Sequence, residues 1–158
     1  MQLYLMRHGL AYSEKEDPLC VLSPEGIDQV KSVGRALRSL CLRFDLILAS
    51  PKRRAQQTAA LIAESVRYPY SDIVSTESAL PNAHPSALIR LLEPEPDDSR
   101  ILVVGHLPHL ADLLCELCGG GKFKLGNADL ACVERVQQVS TLTSLLPNSY
   151  LALLAATR

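Results

Sequence analysis

The chain has no tryptophan, and aromatic residues make up only 4% of its 158 residues. Its apolar runs are all far shorter than the roughly 18 to 20 residues that a membrane-spanning helix needs. The first run is followed by a charge at Arg7, and no hydrophobic region of a signal peptide precedes it. These absences predict a soluble, cytoplasmic protein with no membrane partner.

An excess of charge of one sign is also missing. The chain has 16 Lys and Arg residues against 17 Asp and Glu residues, which gives a net charge of −1. Proteins that bind nucleic acid or anionic membranes through their overall field carry a positive excess. We therefore expect no nucleic acid among the partners, and any positive potential must be local.

Cysteines are present in an odd number and lie mostly among apolar residues, which is typical of reduced core thiols. They are Cys20, Cys41, Cys115, Cys118 and Cys132. The spacing Cys115-x-x-Cys118 occurs in zinc and redox sites, but here it falls inside a leucine-rich helical pattern without a second pair. The sequence predicts no disulfide and no metal site, and it leaves the role of this pair open.

Length and a hydrophobic content of 47% fit one domain, residues 1–158. Three short apolar runs predict strands covered on both faces, at residues 3–6, 45–49 and 101–104. A segment with helical spacing follows each run. This alternation predicts an α/β three-layer sandwich, in which a mostly parallel central sheet carries helices on both faces.

Four helices are predicted from apolar spacing and from their ends. The first has Ser23 as its N-cap and Pro24 as its first residue, and it runs to Cys41. The others begin at Pro51, at His84 and after His106, and they end at residue 66, at residue 92 and before the glycines at 119–121. Further strands are predicted at residues 73–75, 130–136 and 150–155.

Basic groups occupy the carboxyl ends of the predicted strands. Arg7-His8-Gly9 follows the first strand and provides a cation, a nucleophilic imidazole and a small residue. Such strand ends are where open α/β sheets bind ligands, and Gly9 is expected to let a bulky anion approach the backbone. Phosphate is the anion that fits this set best.

Basic residues also follow the second and third predicted strands. Lys52, Arg53 and Arg54 lie in the first turn of a helix, where the helix dipole disfavours each cation by up to about 1 kcal/mol. A bound anion would compensate for that cost. His106 precedes another helix, whose free amides favour negative charge nearby.

Three motifs together resemble those of the histidine phosphatase superfamily, and the resemblance spans most of the chain. They are Arg7-His8-Gly9, Ser50-Pro51-x-x-Arg54-Ala55-x-x-Thr58 and Val104-Gly105-His106. Within that superfamily, Leu22-Ser23-x-x-Gly26 and His106-Leu107-Pro108 are similar to the SixA-type phosphohistidine phosphatases.

The resemblance implies that His8 is the nucleophile of a two-step reaction with a phosphohistidine intermediate. Arg7, Arg54 and a protonated His106 are then expected to hold the phosphoryl oxygens, with no metal and no cofactor. Matching the motif selects Arg54 for the pocket, so that Lys52 and Arg53 point outward. The expected substrate-binding residues are Arg7, Gly9, Arg54, His106 and Asn82.

A general acid is not evident. Many members carry an acidic residue in the stretch that corresponds to Leu80-Pro81-Asn82, and an amide cannot donate that proton. Candidates to replace it are Glu14, Glu16, Asp17 and Glu77. A missing acid suits phosphohistidine, because its leaving imidazole is a far weaker base than an alkoxide.

The resemblance therefore implies a phosphatase for phosphohistidine on proteins, acting on a histidine phosphotransfer domain or similar protein in signal transduction. Two alternatives stay open: a general small-molecule phosphomonoesterase, and a phospho-ligand binding module without turnover. An intact nucleophile argues against the module, and the short chain argues against a mutase. The remaining histidines, His84 and His109, are read as pocket residues or as ordinary surface or turn residues.

Overall fold

The structure is a computed structural model that describes residues 1–137 and 139–156. Within these residues the strands are β1 (Gln2–Arg7), β2 (Leu46–Ala49), β3 (Val74–Ser75), β4 (Arg100–Gly105), β5 (Leu130–Val136) and β6 (Val139–Leu146). The helices are α1 (Pro24–Ser39), α2 (Arg53–Val66), α3 (Pro85–Leu92), α4 (His109–Leu117) and α5 (Asn148–Ala156). Single 3-10 turns lie at Tyr70–Asp72 and Glu77–Ala79.

The strands form one sheet in the order β3-β2-β4-β1-β5-β6. The first four strands of that order are parallel to one another, whereas β5 pairs antiparallel with both β1 and β6. The predicted α/β class is confirmed, and the sheet is mixed because its last two strands form a hairpin.

Helices cover both faces of this sheet. Helices α1, α2 and α5 pack on one face, where Val30, Ile62 and Leu151 are buried in one core. Helices α3 and α4 pack on the other face, where Leu88 and Leu110 belong to a second core. Burying each such side chain contributes about 1.5–3 kcal/mol.

The register of the parallel strands brings three chain segments to one edge of the sheet. Arg7 of β1 lies opposite Gly105 of β4, and Ala49 of β2 lies opposite Val104. The residues that follow these strands therefore emerge side by side. This edge is where the sequence predicted an anion site.

The predicted strand at residues 150–155 is wrong, since these residues lie in α5. An apolar run of this length fits a buried strand or a helix equally well, and Leu151 is buried in the core beside α1. The sequence reading also missed β6, whose alternating serines and threonines belong to a half-covered strand at the edge of the sheet. Its residues alternate between exposed and partly buried, so the apolar signal is weak.

Helix ends are close to those predicted. Ser23 is the N-cap of α1 and accepts a hydrogen bond from the Gly26 amide at 3.1 Å. Helix α1 ends at Ser39, two residues before the predicted end, and Cys41 adopts a left-handed backbone conformation with φ +55°.

Among the described residues, no helix has the length and apolar character needed to cross a membrane.

Candidate active site

His8 lies immediately after β1 and is buried. Its Nδ1 atom is 2.7 Å from the Gly9 carbonyl oxygen, which can only accept, so Nδ1 carries the ring proton. This bond leaves the lone pair on Nε2. The pKa of His8 is lowered to about 4, mainly by burial and also by the charges of Arg54 and Arg7, while the Gly9 bond opposes that change. The imidazole is therefore neutral at neutral pH, as a nucleophile must be.

Arg54 lies in the first turn of α2 and points its guanidinium at this lone pair. Its Nε–H donates to His8 Nε2 at 3.1 Å. Thr58, one turn later on α2, is fully buried and connects the helix to the strand end. The Thr58 hydroxyl donates to the Arg54 carbonyl oxygen at 2.8 Å and accepts from the Gly9 amide at 3.2 Å. The two motifs are thus joined by direct hydrogen bonds.

Gly9 is small for a reason different from the one predicted. A Cβ atom at Gly9 would lie 2.7 Å from both the Gly26 carbonyl oxygen and Val30 Cγ2 of α1. Its side-chain position therefore faces the helix, and its amide is bonded to Thr58. Gly9 lets α1 pack closely against the segment after β1, and it does not open the backbone to an anion.

His106 follows β4 and lies next to His8. The two imidazole ring centres are 4.9 Å apart, with the ring planes at 55°. The fully buried Ser50, which follows β2, has its Oγ atom 2.9 Å from His106 Nε2. Among the described residues, His106 Nε2 is the acceptor within reach of the buried Ser50 hydroxyl, whose oxygen also accepts from the Lys52 amide at 3.4 Å. We therefore assign the hydroxyl proton to the bond with Nε2. The ring proton of His106 then lies on Nδ1, which is buried and has no partner.

The expectation of a protonated His106 does not hold for the protein without a ligand. The pKa of His106 is lowered to about 3, mainly by burial and also by the charges of the nearby His8, Arg54, Lys52 and His109. The imidazole is therefore neutral. It presents an N–H donor to the site and not a full positive charge.

Arg7 approaches the same edge from the end of β1. Its Nη1 atom donates to the Leu125 carbonyl oxygen at 2.9 Å, and its buried Nε atom has no partner. Burial lowers the pKa of the guanidinium and Asp129 opposes that change, but an arginine stays charged in a protein. Arg7 therefore contributes a fixed positive charge with an unused donor.

These groups line an open cleft of about 390 Å³. Its wall contains Arg7, His8, Arg54 and His106, together with residues 10–13, Cys20, Leu107 and Asn127. The structure thus brings together the four predicted catalytic side chains. Asn127 was missed, because it comes from a loop that gives no local signal in the sequence. Its Nδ2 atom donates to the His8 carbonyl oxygen at 3.3 Å.

Asn82 is not among the residues that line this cleft. It is exposed in the turn before α3. Glu77, a candidate acid, is exposed on the 3-10 turn after β3. The structure therefore gives neither residue a contact with the site.

The carboxylates of the loop after β1 have structural partners. Glu16 accepts from the Ser13 amide and hydroxyl at 2.8 and 2.7 Å, and these bonds lower its pKa. Asp17 accepts from the amides of Leu19 and Val21. Within the described part of the chain, the residues that line the cleft include no carboxylic acid.

The other singled-out residues lie away from the cleft wall. Lys52 and Arg53 are exposed, as predicted. His84 is an exposed N-cap of α3, and its Nδ1 accepts from the Ser86 amide. His109 is buried in α4, so it is neither a pocket residue nor a surface residue. Over residues 1–137 and 139–156, no three His, Cys, Asp or Glu side chains form a group that could hold a metal ion.

Comparisons with known proteins agree with this geometry. The family model of the histidine phosphatase superfamily, branch 1, matches residues 3–75. The chain is 30% identical over 128 residues to the phosphohistidine phosphatase SixA of Escherichia coli K12, an alignment that covers 76% of each protein. It is 33% identical over 119 residues to an uncharacterized protein of Picosynechococcus, covering 71% of this chain and 70% of that protein.

A solved structure of the protein histidine phosphatase SixA complexed with tungstate has the same fold. Its TM-score is 0.87 at 24% sequence identity, and the superposition covers 96% of this chain and 99% of that one. Sequence and fold thus agree with the motifs at the strand ends. The chain belongs to the histidine phosphatase superfamily, and this membership implies a phosphatase or a mutase.

Proposed function

We propose that the protein is a phosphatase that hydrolyses phosphohistidine on other proteins through a covalent intermediate on His8. The observation that carries the proposal is the neutral His8 imidazole, whose Nε2 lone pair faces the cleft beside Arg54. A pure binding site needs the cations but has no use for a neutral imidazole held with a nucleophilic nitrogen at the cleft. The expected compartment, the cytoplasm, and a role in signal transduction stay predictions.

In the first step, His8 Nε2 forms a bond to phosphorus while the bond from phosphorus to the substrate imidazole breaks. The electron pair of that bond stays on the leaving nitrogen, and the substrate ring, protonated on its other nitrogen, leaves as a neutral imidazole. The Arg54 Nε–H that occupies the lone pair in the free protein turns to a phosphoryl oxygen. Arg7 Nε–H and His106 Nδ1–H, both buried without partners, supply further donors. Because these donors are fixed before the reaction, they stabilise the charge of the transition state without reorganisation.

In the second step, a water oxygen attacks phosphorus and the bond to His8 Nε2 breaks. Inorganic phosphate leaves, and the neutral imidazole is restored with its proton still on Nδ1. The Gly9 carbonyl oxygen holds that proton through both steps. The double negative charge of a bound phosphoryl group also favours protonation of His106, so its pKa rises when the site is occupied.

The choice of phosphohistidine is supported by the absence of a carboxylic acid among the described residues that line the cleft. An alkoxide leaving group needs a proton from such an acid, whereas an imidazole leaves with less help. In the loop after β1, hydrogen bonds from Ser13 lower the pKa of Glu16, so this carboxylate stays ionised at neutral pH.

The test compares three substrates at equal concentration: a histidine phosphotransfer domain phosphorylated on its histidine, an aryl phosphate and a sugar phosphate. We expect the phosphorylated domain and the aryl phosphate to be hydrolysed much faster than the sugar phosphate. His8→Asn should abolish all activity, while His84→Asn, at an exposed histidine, serves as the matched control. Treatment with a chelator should leave the rates unchanged.

The alternatives give different results. Equal rates on the aryl and sugar phosphates would support a general phosphomonoesterase and would mean that an acid has been overlooked. Retention of the phosphorylated domain without phosphate release would support a binding module. Loss of activity on chelation, restored by Mg²⁺ or Zn²⁺, would contradict the role given to the arginines.

A further inference from the structure

The loop between β1 and α1, parts of which line the cleft, holds an exposed leucine. Leu19 is 63% exposed, and its neighbour Cys20 lines the cleft wall. Tyr12, on the opposite arm of the loop, also lines the wall and is exposed. Single exposed apolar side chains are ordinary on protein surfaces, but Leu19 and Tyr12 both belong to a loop that lines the cleft.

Internal hydrogen bonds fix the conformation of this loop. Its two arms meet at the Tyr12 amide, which donates to the Val21 carbonyl oxygen at 3.0 Å. Asp17 accepts from the Leu19 amide at 3.0 Å and from the Val21 amide at 3.2 Å. The loop therefore presents Leu19 from an ordered backbone, which lowers the entropy cost of using it as a contact.

The start of α2, where Arg54 lines the cleft, is basic. Lys52 and Arg53 are exposed at the start of α2, and no acidic residue lies in the first turn of that helix. The charge of Lys52 lowers the pKa of His106, which lines the cleft. The loop between β1 and α1 instead carries Glu14, Glu16 and Asp17 beside a single Lys15, so this loop and the start of α2 differ in the sign of their charge.

We propose that Leu19 and Tyr12, together with Lys52 and Arg53, form the docking surface for the phosphorylated protein. This inference rests on the proposed function, since a phosphoryl group on a protein reaches His8 only if that protein covers these flanking residues. The partner that fits has an apolar patch beside its phosphohistidine, facing Leu19, and a carboxylate on the other side, facing Lys52.

The test separates docking from chemistry by using two substrates with the same leaving group. One is the phosphorylated histidine phosphotransfer domain, and the other is phosphoimidazole, which has no protein surface. In Leu19→Ser, kcat/KM for the domain should fall about tenfold, the loss of one well-buried contact residue. With phosphoimidazole it should change by less than about twofold, because the hydrogen-bonded loop backbone stays in place.

Arg53→Gln should weaken the reaction with the domain in the same selective way, because Arg53, unlike Lys52, is not among the charges that act on His106. The remaining rate of this variant should depend less on salt concentration. Two matched controls lie away from the cleft wall: Leu40→Ser at the C-terminal end of α1, and Lys31→Gln on its exposed surface. Neither control should alter the rate with either substrate.

Equal losses on both substrates in Leu19→Ser would show that the loop only supports the site, and this would overturn the docking surface. Unchanged rates on the domain would overturn it as well. Failure of the proposed function gives a different result: the unmodified protein would hydrolyse phosphoimidazole but not the phosphorylated domain, and both proposals would then be rejected.

Discussion

His106 should make the folded protein sensitive to acid, and the size of the effect follows from its burial. Its pKa falls from 6.5 to about 3 on folding, with burial as the main cause. Between these two values the unfolded chain binds a proton that the folded protein excludes, so stability falls as the pH drops. At about pH 5 the loss from His106 is about 2 kcal/mol relative to about pH 8.

The perturbation is His106→Gln, which removes the titrating ring and keeps a group that can bond to Ser50. The free energy of unfolding is measured by urea titration at both pH values, in buffers without phosphate. The pH-dependent loss in the variant should be smaller than in the unmodified protein by about 2 kcal/mol. His8, with a pKa of about 4, adds a loss of the same sign that remains in both proteins.

Comparison of the two proteins cancels the contribution of the carboxylates to the pH dependence of stability, because the same carboxylates titrate in both proteins. His84→Gln, at an exposed histidine, controls for the loss of an imidazole from the unfolded chain. An identical pH dependence in His106→Gln and the unmodified protein would refute the reasoning, since His106 would then be protonated as easily in the folded state as in the unfolded one.

Further predictions concern the supports of the site. Gly9→Ala should destabilise the protein by about 1–3 kcal/mol in urea unfolding, because its Cβ would contact Gly26 and Val30; wild-type stability would contradict that packing. Ser50→Ala should lower kcat about tenfold or more and shift the ¹⁵N resonances of His106 toward a mixture of tautomers, whereas Ser50→Thr should retain both properties. A kcat loss with unchanged ¹⁵N resonances would contradict the assigned role of Ser50.

The sequence was sufficient to predict that the candidate catalytic side chains lie together, because each follows a strand that is easy to recognise. Residues 3–6 and 101–104 are apolar without interruption, and in parallel strands their carboxyl ends meet at one edge. His8, Arg54 and His106 could therefore be grouped before any coordinates were known. The charge state of His106 could not be predicted, because it depends on how completely the surrounding residues bury the ring.

Features that depend on long-range packing could not be predicted from local patterns. Asn127 reaches the cleft through a loop more than a hundred residues after His8. The need for a small residue at Gly9 comes from its contact with α1. The apolar residues of α5 fit a strand equally well until the face of α1 that they cover is known.

The measurement that tests the central claim most directly is the isolation of a phosphorylated enzyme during turnover. The protein is mixed with a histidine phosphotransfer domain carrying labelled phosphate, quenched in alkali within the first turnover, and digested for mass analysis. The account predicts an acid-labile, alkali-stable label on His8 that is absent in His8→Asn. A label on any other residue, or full activity in His8→Asn, would contradict the assignment of His8 as the nucleophile.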